Sequence, residues 1–284
     1  MNVKFKNYAN FWKQAVPFPK TKIKKARQVC RNLSLSLISK IPRSNKSNFL
    51  RCLYCHYVFD DQKERFNEIL KSLSNVGQFV TTDVCIQMLK EGNINGKYFH
   101  LSFDDGFRNI YKNAYPVLRK HKIPSIAFLP TDFIDVDWAE EKKYCLDIAK
   151  YNGVIETLKW NDILEMSSNN VDFGSHTRTH VNLSSISNNE LLLNNEIKES
   201  KKDLEEKIGK DCKYIAWPFG EHKHIDNTAI DYIKESQYTA CFGAFRGSIH
   251  KNKTDIFKIP RHHFEVEWPI NHIQYFADTD HGLC

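Results

Sequence analysis

From residue 49 onward, two spacings of apolar positions alternate along the chain. Residues 50–58 form a short apolar run, the pattern of a buried strand. Residues 62–76 place Phe66, Ile69, Leu70 and Leu73 at helical spacing. A short strand at 79–80 leads into Thr81-Thr82-Asp83, which offers cap chemistry for a helix over 84–91 that Gly92 closes. Further strands are predicted at 97–103, 125–129, 171–174, 214–217 and 239–242, and helices at 109–121, 161–167, 188–209 and 227–236. Pro116 begins or kinks the first of these helices, and Gly209 ends the longest. Residues 256–260 make a last extended piece, and 132–151 is a loop that the pattern does not place.

Strands alternating with helices imply parallel β/α units. About seven such strands fit the α/β class and a closed or nearly closed (β/α) barrel. Asp104-Asp105, His176, Pro218-Phe219 and Arg261 each fall just past the C-terminal end of a predicted strand. Barrel active sites are assembled on that rim from several strands.

Composition adds limits. Hydrophobic content of 41% and aromatic content of 13% suffice for a sizeable core. No stretch approaches the roughly 20 apolar residues of a membrane span, and residues 1–15 lack a charged-then-apolar signal pattern. The expectation is a cytoplasmic chain with eight reduced cysteines. Cys52, Cys55 and His56 match a haem-attachment spacing, but that chemistry needs export, and the favoured reading is a buried strand with cysteine as a small apolar residue.

Charge is uneven. Residues 1–50 hold twelve Lys or Arg and no Asp or Glu, whereas the rest carry 29 basic and 34 acidic residues. Residues 1–48 therefore read as a basic arm on a domain spanning 49–284. Lys20, Lys22, Lys24, Lys25, Arg27 and Arg31 among Trp12, Phe18 and Val29 suit an anionic membrane surface, which would hold the chain peripherally at the inner face. A solvated arm is the plain alternative. No base-reading motif accompanies the charge, so no nucleic-acid partner is expected.

The chemistry centres on Ser102-Phe103-Asp104-Asp105-Gly106 and on His176-Thr177-Arg178-Thr179-His180. Asp105, His176 and His180 make a three-donor site with open positions, suited to zinc or another divalent first-row cation, with cobalt, nickel or iron as alternatives. Adjacent residues of an extended chain point in opposite directions, so Asp104 is not a second carboxylate ligand and is left to accept a proton from the attacking water. Gly106 permits a sharp turn after the pair.

These residues resemble the T-F-D-D-G and histidine motifs of the polysaccharide deacetylases, the NodB-homology carbohydrate esterases. Ala216-Trp217-Pro218-Phe219-Gly220 is similar to the third motif in its Y-P-F-G form. Tyr54-Cys55-His56-Tyr57-Val58 resembles an opening Y-H-x-V strand, and Ile259-Pro260-Arg261 a downstream L-P-R element. The resemblance implies a distorted β/α barrel and metal-dependent amide hydrolysis. It makes Asp104 the general base and Asp105, His176 and His180 the metal ligands. The backbone N–H of Phe219 would help hold the oxyanion, and Arg261 would orient Asp104 in place of an arginine that many members carry where Ala216 stands. The late histidine that serves as general acid has three candidates, His262, His263 and His281; His263 is taken here. His56, Trp217, Pro218, Phe219 and Trp160 are candidates for the pocket wall.

The expected activity is removal of an N-acetyl group from an acetylated amino sugar, in a polysaccharide or a lipid-linked precursor. Hydrolysis of a formyl or other amide, or non-catalytic carbohydrate binding on the same fold, are the rival readings.

Overall fold

The computed structural model describes residues 7–15, 29–30, 32–37, 48–247, 249 and 254–278. Much of the basic arm, including Lys20 to Arg27 and Arg31, lies outside the described residues, as does His281.

Among the described residues eight parallel strands occur: β1 (Phe49–Cys55), β2 (Gln78–Phe79), β3 (Lys97–Phe103), β4 (Ser125–Leu129), β5 (Val171–Ser175), β6 (Tyr214–Ala216), β7 (Ala240–Phe242) and β8 (His262–His263). Seven run in the order β7-β6-β5-β4-β3-β1-β8, and β2 pairs with β3 off that path. The sheet curls into a distorted barrel. A parallel bridge from Phe242 to Ile259, just ahead of β8, brings the last strand's approach against β7 and narrows the gap.

Helices Lys63–Ser74, Thr82–Glu91, Tyr115–His121, Trp160–Ser167 and Asn227–Glu235 match the expected ones closely. Thr81 caps Val84 N–H, and Gly92 closes that helix in the left-handed region. Pro116 follows directly on a π-helical turn over Ile110–Ala114, whose wider spacing accommodates a residue that lacks an N–H within a continuous helical run. The long helix is likewise broken by a π-helical stretch over Asn194–Glu199. The loop at 132–151 contains a helix over Trp138–Lys143 that runs on as a π-helical stretch over Tyr144–Ile148, and the change of spacing blurs its periodicity. The two-residue β8 and the helix Ile270–Asp278 were also not predicted.

Strand residues sort onto two faces. Leu53, Cys55, Phe99, Leu101, Phe103, Ala127 and Phe173 face the helices. Leu50, Cys52, Ile126, Phe128, Ala216 and Phe242 fill the barrel interior. Cys52 and Cys55 thus lie on opposite faces of β1, the strand arrangement rather than a haem-attachment one. Residues 8–15 pack onto the domain: Ala9 N–H donates to Val154 O at 2.8 Å, Asn152 N–H to Ala15 O at 2.8 Å, and Tyr8 Oη to buried Glu141 at 2.6 Å.

Gly174 of β5 leaves room for the Phe128 ring. A Cβ there would lie 2.7 Å from both Phe128 and the Tyr214 carbonyl oxygen. Gly174→Ala should lower stability by about 2 kcal/mol through overpacking, read as a lower urea midpoint with unchanged slope. An unshifted midpoint would mean that β4 and β6 separate freely.

Candidate active site

The strand ends set the site. In β3 alternation carries His100, Ser102 and Asp104 toward the interior. The chain then turns left-handed at Asp105 (φ 71°) and Gly106 (φ 67°). That turn replaces the extended geometry expected from sequence. Both carboxylates consequently line one cavity of about 150 Å³, with Tyr54, His56, Ala149, Tyr151, His176, His180, Trp217, Phe219, Gly220 and Ala244.

Asp105, His176 and His180 converge. Asp105 Oδ1 is 3.6 Å from His176 Nε2 and 3.2 Å from His180 Nε2. The three donor atoms lie within 4.8 Å of one another, and all three residues are buried. His176 Nδ1 donates to Ala216 O at 2.7 Å, which leaves the Nε2 lone pair facing Asp105. Burial pushes the His176 imidazole down to about 4, so it is neutral. Burial acts to raise Asp105, but the hydrogen bond from His180 and the electrostatic pull of the His56, His180 and His176 rings outweigh it and hold the carboxyl well below its usual range.

A bare imidazole lone pair facing a carboxylate across 3.6 Å is unfavourable unless a cation lies between them. Oxygen and nitrogen donors each about 2.1 Å from a tetrahedral ion sit about 3.4 Å apart, within the span seen here. The donor set therefore fits a divalent metal.

The surroundings hold these ligands. Buried Glu196 accepts from Arg178 N–H, Thr179 N–H and Thr179 Oγ1 at 2.8 to 3.0 Å and fixes the loop between the histidines. Thr177 and His180 in that loop are left-handed, with φ of 63° and 61°. Tyr151 Oη donates to Asp105 Oδ2 at 3.0 Å, and Tyr144 Oη to Asp105 O at 3.1 Å. Neither tyrosine was singled out in sequence, because both lie in the loop whose path the pattern does not give.

Asp104 is held differently. Arg261 Nη1 and Nη2 grip its two oxygens at 2.7 and 2.8 Å. Arg261 also donates to Ser102 Oγ at 3.0 Å and Gly243 O at 2.7 Å, beneath the Tyr54 ring at 4.5 Å. Burial acts to raise the Asp104 carboxyl, and the guanidinium overrides it, leaving the group below its ordinary range and ionised at neutral pH.

Of the other sequence candidates, His56, Trp217 and Phe219 line the cavity. Phe219 is exposed and left-handed (φ 63°), with its ring 4.9 Å from that of His180. Pro218 is buried behind the lining rather than in it. His263 also stands back: its ring is 5.2 Å from His56, and its Nε2 is 3.2 Å from Glu265 Oε1, off the line of a hydrogen bond. His262 points elsewhere, with Nε2 3.1 Å from Arg51 Nη1 and from Gly247 O. Trp160 lies away from the cavity under Lys207.

Known proteins resemble this chain in sequence and in fold. A family model described as polysaccharide deacetylase matches residues 91–241. A poly-beta-1,6-N-acetyl-D-glucosamine N-deacetylase of Staphylococcus aureus is 27% identical over 238 residues, covering 77% of this chain and 75% of that protein. Its counterpart in Staphylococcus epidermidis is 26% identical over 212 residues, covering 72% and 68%. Among solved structures, IcaB from Ammonifex degensii superposes with TM-score 0.67 at 20% identity over 82% of this chain and 98% of that one. The Streptococcus pyogenes deacetylase PplD, solved with acetate, gives 0.65 at 17% identity over 81% and 97%. Those superpositions fix the barrel's fold class, and the family match, which spans more than half of the chain, makes it a member of the polysaccharide deacetylase family.

Proposed function

We propose that this chain is a metal-dependent N-deacetylase acting on β-1,6-linked N-acetylglucosamine polymer, the substrate class named for its staphylococcal relatives. The observation that carries the reading is the pairing of a three-donor site with a separately held carboxylate: Asp105, His176 and His180 converge while Arg261 keeps Asp104 apart and ionised. One carboxylate is committed to a cation and its sequence neighbour is free for proton transfer.

A divalent cation held by Asp105, His176 and His180, zinc by its nitrogen and oxygen donors, would polarise the acetyl carbonyl and acidify the attacking water. Asp104 takes the proton from that water. Arg261 is a positioning residue that aims the carboxylate by bidentate contact. The Phe219 N–H lies at the left-handed turn on the cavity wall and is assigned to the oxyanion. His56, with the His263 ring edge-on to it and Glu265 beside His263, is assigned the proton for the leaving nitrogen; burial lowers its imidazole, and the charges of Asp105, Asp104 and Glu265 act against that. Trp217 and Phe219 offer apolar faces to a sugar ring.

The basic residues 1–48 are proposed to hold the enzyme at an anionic surface. Among the described residues no helix is long and apolar enough to cross a membrane, and Val29, Leu33 and Leu37 form an exposed apolar series one helical turn apart.

Asp104→Asn should cut acetate release from N-acetylglucosamine oligomers by at least about 100-fold while leaving metal content unchanged. Normal turnover in that variant would remove Asp104 from the proton-transfer role. Chelator-stripped protein should be inactive and recover with zinc or cobalt, whereas His176→Ala should recover poorly at equal metal. Activity that survives full stripping would reject the cation role. Binding to vesicles rich in anionic lipid should weaken steeply as salt rises, because Debye screening shortens the attraction; no binding at low salt would reject the surface role of the arm.

A further inference from the structure

A second set of metal-type donors is buried beneath the active site. Cys52 of β1 and His100 of β3 are direct partners in the parallel register and face the barrel interior. Each stands two residues before a side chain that touches Arg261, respectively Tyr54 and Ser102. Helix Thr82–Glu91 brings Cys85 against them. All three residues are fully buried, and their donor atoms lie within 4.8 Å of one another.

Two features go beyond ordinary core packing. His100 Nε2 meets Thr82 Oγ1 at 3.0 Å, whereas its Nδ1 is buried and, among the described residues, makes no hydrogen bond of good geometry, with the Cys52 thiol beside the ring. A metal-bound histidine shows this division: one ring nitrogen binds the ion and the other is hydrogen-bonded. The sulfurs of Cys52 and Cys85 are 3.8 Å apart. Two thiolates each about 2.3 Å from a tetrahedral ion are about 3.8 Å apart, whereas a disulfide needs about 2.05 Å.

We infer that Cys52, Cys85 and His100 form a second, structural site for a thiophilic d¹⁰ cation, Zn²⁺ or Cu⁺, separate from the site at the barrel mouth. Thiolate and imidazole donors select ions of this class. Two thiolates balance the charge of Zn²⁺ in a dry environment, and Cu⁺ accepts three donors without a fourth. The site would staple helix Thr82–Glu91 to β1 and β3 under the layer that holds Arg261. Being closed to solvent, it would fill during folding.

The test uses the full chain carrying His176→Ala and His180→Ala, which disables the mouth site but keeps every cysteine. Purified from zinc- or copper-supplemented culture, it should hold about one equivalent of one of these metals, with sulfur and nitrogen neighbours in X-ray absorption at the metal edge. The metal retained identifies the ion. Refolded with Co²⁺, it should show a near-ultraviolet thiolate charge-transfer band that Cys85→Ala removes. A folded variant chain without bound metal, a metal with only oxygen and nitrogen neighbours, or a band that survives Cys85→Ala would each overturn the proposal. The absorption measurement needs no cysteine substitution, so it stands even where Cys85→Ala fails to fold.

Discussion

Arg261 and Asp104 meet inside the barrel, the guanidinium fully buried and both carboxylate oxygens engaged. An ion pair in such a place is expensive to desolvate and is stable only when nearly every donor is used. Here they are: Ser102 and Gly243 take further N–H groups, and Tyr54, Phe128 and Phe242 surround the cation. These contacts reach β1, β3, β4 and β7, so closing the barrel and aiming the carboxylate are one event. Loss of either partner would strand a buried charge, at about 3–5 kcal/mol.

Around that pair the chain departs from regular geometry at the strand ends. Asp105, Thr177, His180 and Phe219 all adopt left-handed backbone angles, each costing about 1–3 kcal/mol for a residue with a side chain. Such strain persists because the surroundings over-determine it. Glu196 accepts three hydrogen bonds from the histidine loop, and Tyr144 and Tyr151 both donate to Asp105. The result is a set of acceptors held close together before any cation arrives.

The tyrosines depend in turn on remote contacts. Residues 141–155 are braced by the N-terminal segment, through Tyr8 on Glu141 and the backbone pairs of Ala9 and Ala15. Glu141 also accepts from Thr157 N–H and Oγ1, which ties the same loop to the strand-end turn at Phe107. Part of the basic segment thereby contributes to the order of the site, although its charge lies mostly elsewhere along the sequence.

Hydrophobic periodicity located nearly every strand and helix, because one-sided burial imposes periods of two and of about 3.6 on the chain. The rim position of Asp104, Asp105, His176 and Arg261 followed from that pattern and from motif spacing. Two elements escaped for different reasons: β8 has only two residues, and the helix at Trp138–Lys143 passes into a π-helical stretch over Tyr144–Ile148 that breaks the spacing. Only the assumed geometry of the carboxylate pair differs, because alternation holds only while the chain stays extended, and the left-handed turn at Asp105 is fixed by neighbours far away in sequence. Only the tertiary structure brought Tyr151 to Asp105, set His263 behind His56, withdrew Pro218 from the cavity, and gathered Cys52, Cys85 and His100 from three separate elements. Local spacing records which face a residue occupies; which residues then meet across that face is decided by how the sheet curls and closes.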